Sequence, residues 1–447
     1  MEGAKAILLR LFRRARGAMP SRSDSPRCAA ELAWWASPHA PGRKAVAVAL
    51  SFVLVAGVGS LAGCSSDLGG GGSAAGVAVD GGEADSFGSA SDSGEAASFA
   101  EVAAAFDASA LDLDYINRET DAAYDDASAV HIVLGGGSAS VEGNGSTVDG
   151  STVTITAEGV YVVSGSLDDG QLAVEAPEDA KVQIVLAGAT IHNEDGPAVY
   201  VKQADKCFIT LADGTQNALT DGAEYVLEDG SDEPYATLFS RADLTLNGTG
   251  ALTVTSAYRH AVCSKDDLVI TGGTYVVNAV EDALRGRDCV KIADGDFTLI
   301  AGGDGIKSNK DTKATKGFVS IDGGTFVIEA GDDGIHAQTY LRIAGGDISI
   351  AAVDDALHSN LEGLLAGGAL DIEAGDDAFH VETKLVIDDG TVNVKACYEG
   401  YEAEKLYING GDTHIVASDD AINAAAADLG DDDADEAADA SVEAPGS

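Results

Sequence analysis

The chain has 447 residues and carries 74 acidic side chains against 27 lysines and arginines, a formal charge of −47 at pH 7. That balance excludes a nucleic-acid partner held by basic contacts to phosphate, and it directs attention to cations and to ligands reached through cations.

In chain order, residues 1–64 read as a bacterial lipoprotein signal. An arginine-rich region precedes an apolar stretch from Ala45 to Gly59, and Leu61-Ala62-Gly63-Cys64 supplies the small residues before a lipidated cysteine, Cys64. The expected location is the outer face of the plasma membrane at the bacterial cell surface, with the membrane engaged through that lipid; an uncleaved anchor would want a longer apolar run. Residues 65–106, with text such as SSDLGGGGSAAG, are too poor in large apolar side chains to offset the entropy of ordering and read as a disordered Gly/Ser-rich tether. Residues 107–425 form one elongated domain, and 426–447 read as a disordered acidic tail.

The domain is organised by a repeat. Phrases such as GGTFVIEAGDDGIHA at 323, GGDISIAAVDDALHS at 345 and GGALDIEAGDDAFHV at 367 return every 22 residues. Aligned on one corner acid, the copies fall at Asp282, Asp304, Asp333, Asp355, Asp377, Glu399 and Asp420; one step of 29 contains the loop SNKDTKATKG and one step is 21. A period too short for a helix pair, rich in glycine and β-branched residues, marks a solenoid with one coil per repeat. The predicted fold is all-β, a right-handed single-stranded parallel β-helix of about 22 residues per coil. Alternation assigns the faces. Tyr275, Phe297, Phe326, Ile348, Leu370 and Val392 point inward, as do Val277, Leu299, Ile328, Ile350, Ile372, Val394 and Val416, and after the corner Leu284, Ile306, Ile335, Leu357, Phe379, Tyr401 and Ile422. The first coils are irregular, and residues 107–170 are expected to cap the exposed end. Cys207, Cys263, Cys289 and Cys397 share no repeat column, which predicts free thiols, with Cys207 in the core.

The segment VYVVSGSLDDGQLAVEAPEDAKVQIVLAGATIHNEDGPAVYVKQADKCFITLADGTQNALTDG, residues 160–222, together with the GDDGIHA-type repeats, resembles the bacterial cell-surface family of carbohydrate-binding domain-containing proteins. The resemblance covers residues 130–425. It implies a calcium-bearing, pectate-lyase-like β-helix that binds plant polysaccharides such as cellulose and polygalacturonate, without demonstrated catalysis in most members. This chain departs from the pattern at Tyr398-Glu399, where an Asp pair is expected, and at Gly303-Asp304, where one acid is kept.

The acidic corners are the chemical candidate. Stacking places Asp282, Asp304, Asp333, Asp355, Asp377 and Asp420 in one column and Asp332, Asp354, Asp376 and Asp419 in another. Unit charges about 4.8 Å apart repel by about 1 kcal/mol in water and by about 3.5 kcal/mol at an effective dielectric of about 20. Calcium, with its six to eight oxygen ligands, would relieve that repulsion and is the expected cofactor. The competing reading has these residues shape solvated turns through bonds to the backbone. Beside them Arg285, Lys307, His336, His358 and His380 read as an outward column that would meet the carboxylate and hydroxyls of a sugar; a transition-metal site or a plain charged face would use the same residues. Trp34 and Trp35 fall in the leader, so aromatic platforms reduce to Tyr258 and Tyr398, and hydrogen bonding to Thr298, Ser349, Asp371 and Asn393.

The expected function is a monomeric, non-catalytic, lipid-anchored surface protein that binds polysaccharide through calcium. One alternative is a calcium-dependent polysaccharide lyase with Arg285 as its base. Another is a surface spacer or adhesin stiffened by ions.

Overall fold

The computed structural model describes residues 97–227 and 230–424. Cys64, the signal segment 1–64, residues 65–96 of the expected tether and the tail 426–447 lie outside the described residues. The domain is a parallel β-helix of about 12 turns with roughly 23 residues per coil. Each regular coil contributes three strands. A strand such as Thr325–Ala330 leads through the acidic corner to a short strand, Ile335–Ala337, and then to a third, Tyr340–Ile343. Each pairs in parallel with its counterpart one coil on, so three parallel ladders run along the regular coils.

Register realises the inward columns. Phe297, Phe326, Ile348, Leu370 and Val392 are successive partners, as are Leu299, Ile328, Ile350, Ile372 and Val394, and all are buried. Tyr275, Phe297 and Phe326 stack with ring centroids 5.1 and 4.6 Å apart. Before this strand the second glycine of each pair takes a positive φ, as at Gly324 with φ 105°, where a Cβ would lie 2.8 Å from the Gly295 carbonyl oxygen of the previous coil. Only a residue without a side chain allows successive turns to stack this closely.

Two members of the expected columns are not inside. Ile415, not Val416, pairs with Val394, because the residue missing from the 21-residue step lies between Glu399 and Gly410 and shifts the strand by one. A one-residue shift exchanges the faces, and Val416 is 50% exposed. Ile422 keeps its register with Tyr401, yet it is also 50% exposed at the end of the described coils.

The N-terminal end is closed by hairpins: Val130–Gly136 pairs antiparallel with Ala139–Glu142, and Ser146–Asp149 with Thr152–Ile155. The expected cap of 107–170 is therefore too long at both ends. By Gly159–Leu167 the chain already pairs in parallel with the next coil, and residues 106–124 run along the side of the solenoid instead of over its end. Phe99–Ala105 is a helix with Val102 buried, inside the segment expected to be a tether. Beyond it Leu111 packs with Cys289, Phe318 and Tyr340; Tyr115 donates to Asp322 at 2.9 Å; and Glu119 pairs with Lys206 at 2.5 Å. The strap covers apolar residues on the outer face of one sheet, a face that a parallel sheet cannot leave to water without cost.

All four domain cysteines are free and buried. Burial pushes the Cys207 thiol up to about 12, so it is inert packing.

Candidate functional site

The corner between the first and second strands of each coil carries two parallel columns of acids with different surroundings. In the inner column one carboxylate oxygen of each residue accepts the backbone N–H of its counterpart in the next coil. Asp304 N–H donates to Asp282 Oδ1 at 3.1 Å, Asp333 to Asp304 at 3.0 Å, Asp355 to Asp333 at 3.1 Å, Asp377 to Asp355 at 2.8 Å and Glu399 to Asp377 at 3.1 Å. His260 starts the series, its Nδ1 accepting from Asp282 N–H at 3.1 Å; burial holds its pKa down to about 3, which keeps that nitrogen free to accept.

The second oxygen faces the neighbouring basic column. Arg285 meets Asp282 at 2.9 Å, Lys307 meets Asp304 at 2.5 Å, His336 meets Asp333 at 2.8 Å, and His358 and His380 both reach Asp355 Oδ2, at 2.8 and 3.2 Å. The sequence reading of this column as outward-facing is corrected. Arg285 is 4% exposed, and Lys307 and the three histidines lie half-buried against the acids. The reason is the spacing: each sits three residues after its corner acid, across the turn, where an opposite charge is nearest.

The ladder changes the acidities. Burial opposes ionisation of Asp355, but hydrogen bonds from His358, His380 and Asp377 N–H outweigh it and hold the carboxyl well below the usual range. His380 is raised to about 9 by its bond to Asp355. Asp304 is pushed up to about 6, by burial and then by Asp282, against the pull of Lys307. The column loses its base at the next coil, where Glu402 follows His380 in register. There burial, and then a hydrogen bond with Glu402, raise Asp377 to about 8.

The outer column, Asp332, Asp354 and Asp376, is exposed. Its backbone is stacked, with Asp354 N–H donating to Asp332 O at 3.4 Å and Asp376 N–H to Asp354 O at 3.2 Å. All three carboxyls are raised, first by partial burial and then by neighbouring acids, and Asp354, in the middle, reaches about 6. Asp332, Asp333 and Asp354 each offer an oxygen within 4.8 Å of the others, as do Asp354, Asp355 and Asp376. Calcium with ligands at about 2.3–2.6 Å fits such spacings. The inner oxygens already accept one bond each but retain a second lone pair. The donor set is thus compatible with calcium, led by the outer carboxylates.

Asp419 and Asp420 are exposed on the last described coil, where Asp419 accepts from Tyr398 Oη at 2.9 Å. Tyr398 is exposed, as expected, whereas Tyr258 lies stacked on Tyr225 at 4.2 Å. Thr298, Ser349, Asp371 and Asn393 do share one outer face of the sheet; Asn393 and Lys395 bond to Asp371 there. Sequence reasoning missed a groove of about 540 Å³ near the N-terminal end, lined among others by Gln171, Asn193, Tyr200, Lys202 and Arg241. These residues lie in the irregular coils, where no repeat column marks them.

Residues 149–363 and 363–437 match the family model described as carbohydrate-binding domain-containing protein. The chain belongs to this family. A carbohydrate-binding domain-containing protein of Acetivibrio thermocellus is 38% identical over 136 residues, which is 29% of this chain and 48% of the relative. The chain thus spans about half the length of that curated relative. Among solved structures, a gadolinium derivative of the polysaccharide lyase-like protein from C. thermocellum aligns with TM-score 0.49 and 29% identity, covering 64% of this chain and 99% of that one.

Proposed function

We propose that this member of the carbohydrate-binding domain-containing family is a lipid-anchored surface protein that holds an acidic polysaccharide, of the polygalacturonate type, through calcium on the outer aspartate column. The observation that carries the reading is the exposed stack of Asp332, Asp354 and Asp376, whose carboxyls are all raised by partial burial and then by neighbouring acids, Asp354 by both other members of the stack as well as by Asp333 and Asp355. A divalent cation relieves that repulsion and leaves coordination positions for the carboxylate of a uronate. Arg285 is buried against Asp282, which speaks against it both as a direct sugar contact and as the base of a lyase. Lys307, His336, His358 and His380 act first on the inner acids, and touch sugar only at their exposed edges.

The test is binding of polygalacturonate to wild type and to Asp354→Asn, with calcium and with chelator. Affinity that needs calcium and falls with the substitution, without release of unsaturated uronate, supports the proposal. Calcium binding and stabilisation with no sugar affinity would leave a stiffened spacer; formation of unsaturated product would make it a lyase. Sugar binding that survives both chelation and substitution moves the site to the face of Ser349 and Asn393 or to the groove near Tyr200. The anchor has its own test: Cys64→Ser should leave the protein unprocessed or release it from membranes, and unchanged fractionation overturns it.

A further inference from the structure

We propose that Asp355, His358 and His380, together with Asp377 and Glu402, form a second cation site of different chemistry, one for a divalent transition-metal ion of the zinc, cobalt or nickel type. Three features of the ladder converge at this coil. The first is spacing: His358 Nδ1 and His380 Nδ1 lie 2.8 and 3.2 Å from the same oxygen, Asp355 Oδ2. Tetrahedral ligands at about 2.0–2.1 Å from a metal lie about 3.3 Å from one another, so a small inward or outward adjustment places a cation between these donors.

The second is orientation. His336 and His358 stack nearly parallel, at 4.7 Å and 8°, but His380 is tilted by 55° from His358 at 4.9 Å. The regular column is broken where the third ring leans toward the Asp355 oxygen already used by the second. The third is the end of the basic column. Every inner acid from Asp282 to Asp355 meets a base at 2.5–2.9 Å, whereas Asp377 has His380 Nδ1 only at 3.9 Å and faces Glu402, and Asp377, His380 and Glu402 all offer donor atoms within 4.8 Å of one another. Asp377 is 3% exposed, and its contact with a second carboxyl is compensated in the structure only by the distant His380 imidazole, a charge that a bound cation would supply more closely.

The donor set decides the metal class. Two imidazoles with carboxylates favour a transition metal, while calcium prefers oxygen alone. The related cluster Asp304, Asp333 and His336 does not qualify, since it has one imidazole and the Lys307 ammonium already stands 2.5 Å from Asp304. His358 and His380 side chains are 17% and 26% exposed, which gives an ion a route in and leaves room for an exchangeable ligand.

The experiment uses full-length protein without an affinity tag, stripped with chelator and titrated with cobalt(II). The expected result is a visible d–d spectrum that zinc abolishes and excess calcium does not. His380→Gln and Glu402→Gln should each weaken cobalt binding by more than about tenfold, with far-UV circular dichroism confirming the fold and the calcium response of the outer column retained. Absence of a cobalt spectrum, displacement by calcium, or a folded His380→Gln that titrates like the wild type would overturn the assignment.

Discussion

Truncating Asp355 separates the inner column, which builds the fold, from the outer column, which carries charge. In Asp355→Ala the buried Asp377 N–H loses its acceptor at 2.8 Å, and His358 and His380 lose the oxygen both reach. A buried donor left unpaired costs about 1–3 kcal/mol. Removing one partner of a buried ion pair costs about 3–5 kcal/mol, and because both losses arise from one carboxylate they do not add. The expected destabilisation is about 3–5 kcal/mol for Asp355→Ala. Asp355→Asn keeps the carbonyl acceptor and loses only the charge, for about 1.5–3 kcal/mol. The control is Asp376→Ala in the exposed outer column, expected within about 0.5 kcal/mol of wild type in chelator. Urea unfolding followed by far-UV circular dichroism gives the midpoints, and hydrogen exchange at the Asp377 amide reports the local loss even if the solenoid does not unfold as one unit. If Asp355→Ala unfolds within about 0.5 kcal/mol of the Asp376→Ala control and leaves that amide protected, the carboxylate ladder is not a structural element. Its pH signature follows from the lowered acidity of Asp355: the contribution is present above about pH 4, the unfolded value, and is lost as pH falls further toward the folded one.

Away from the corners, burial and the neighbouring Asp288, Asp243 and Asp267 push Asp266 up to about 6, so its charge destabilises the fold above that pH and not below about pH 4. Asp266→Asn should therefore raise the melting temperature at pH 8 and leave it unchanged at pH 4; an equal shift at both would show that charge is not the cause. Calcium should raise the melting temperature of the wild type, and Asp354→Asn should abolish most of that rise while melting slightly higher than wild type in chelator, since one of three stacked carboxylates is gone; differential scanning calorimetry reads both. Phe326→Ala opens a cavity under the stacked rings of Phe297 and should cost about 3–5 kcal/mol in urea unfolding, against under about 1 kcal/mol for the half-buried, outward-facing Val327→Thr on the same strand.

The amino-acid sequence by itself determined the coil. Within a strand the side-chain period is two and between coils the pairing is parallel and in register, so a fixed repeat length writes each structural column directly into the text. Tyr275 to Val392, the glycine turns and the two acidic columns were legible for that reason. The covering strap left partial signals: Ser98 and Glu101 stand in capping-box spacing at the start of Phe99–Ala105, and Phe318 and Tyr340 are apolar on a face that alternation would expose. What those faces were packed against was not written locally, because the partner residues lie far away in the chain. The same limit governs the site. The sequence shows that Arg285, Lys307, His336, His358 and His380 share a column, but only the tertiary structure decided that this column turns against the inner carboxylates and leaves the outer ones to solvent. Which of two adjacent acids is buried depends on a corner's backbone path and on the opposite charge it folds onto, and neither is a property of periodicity.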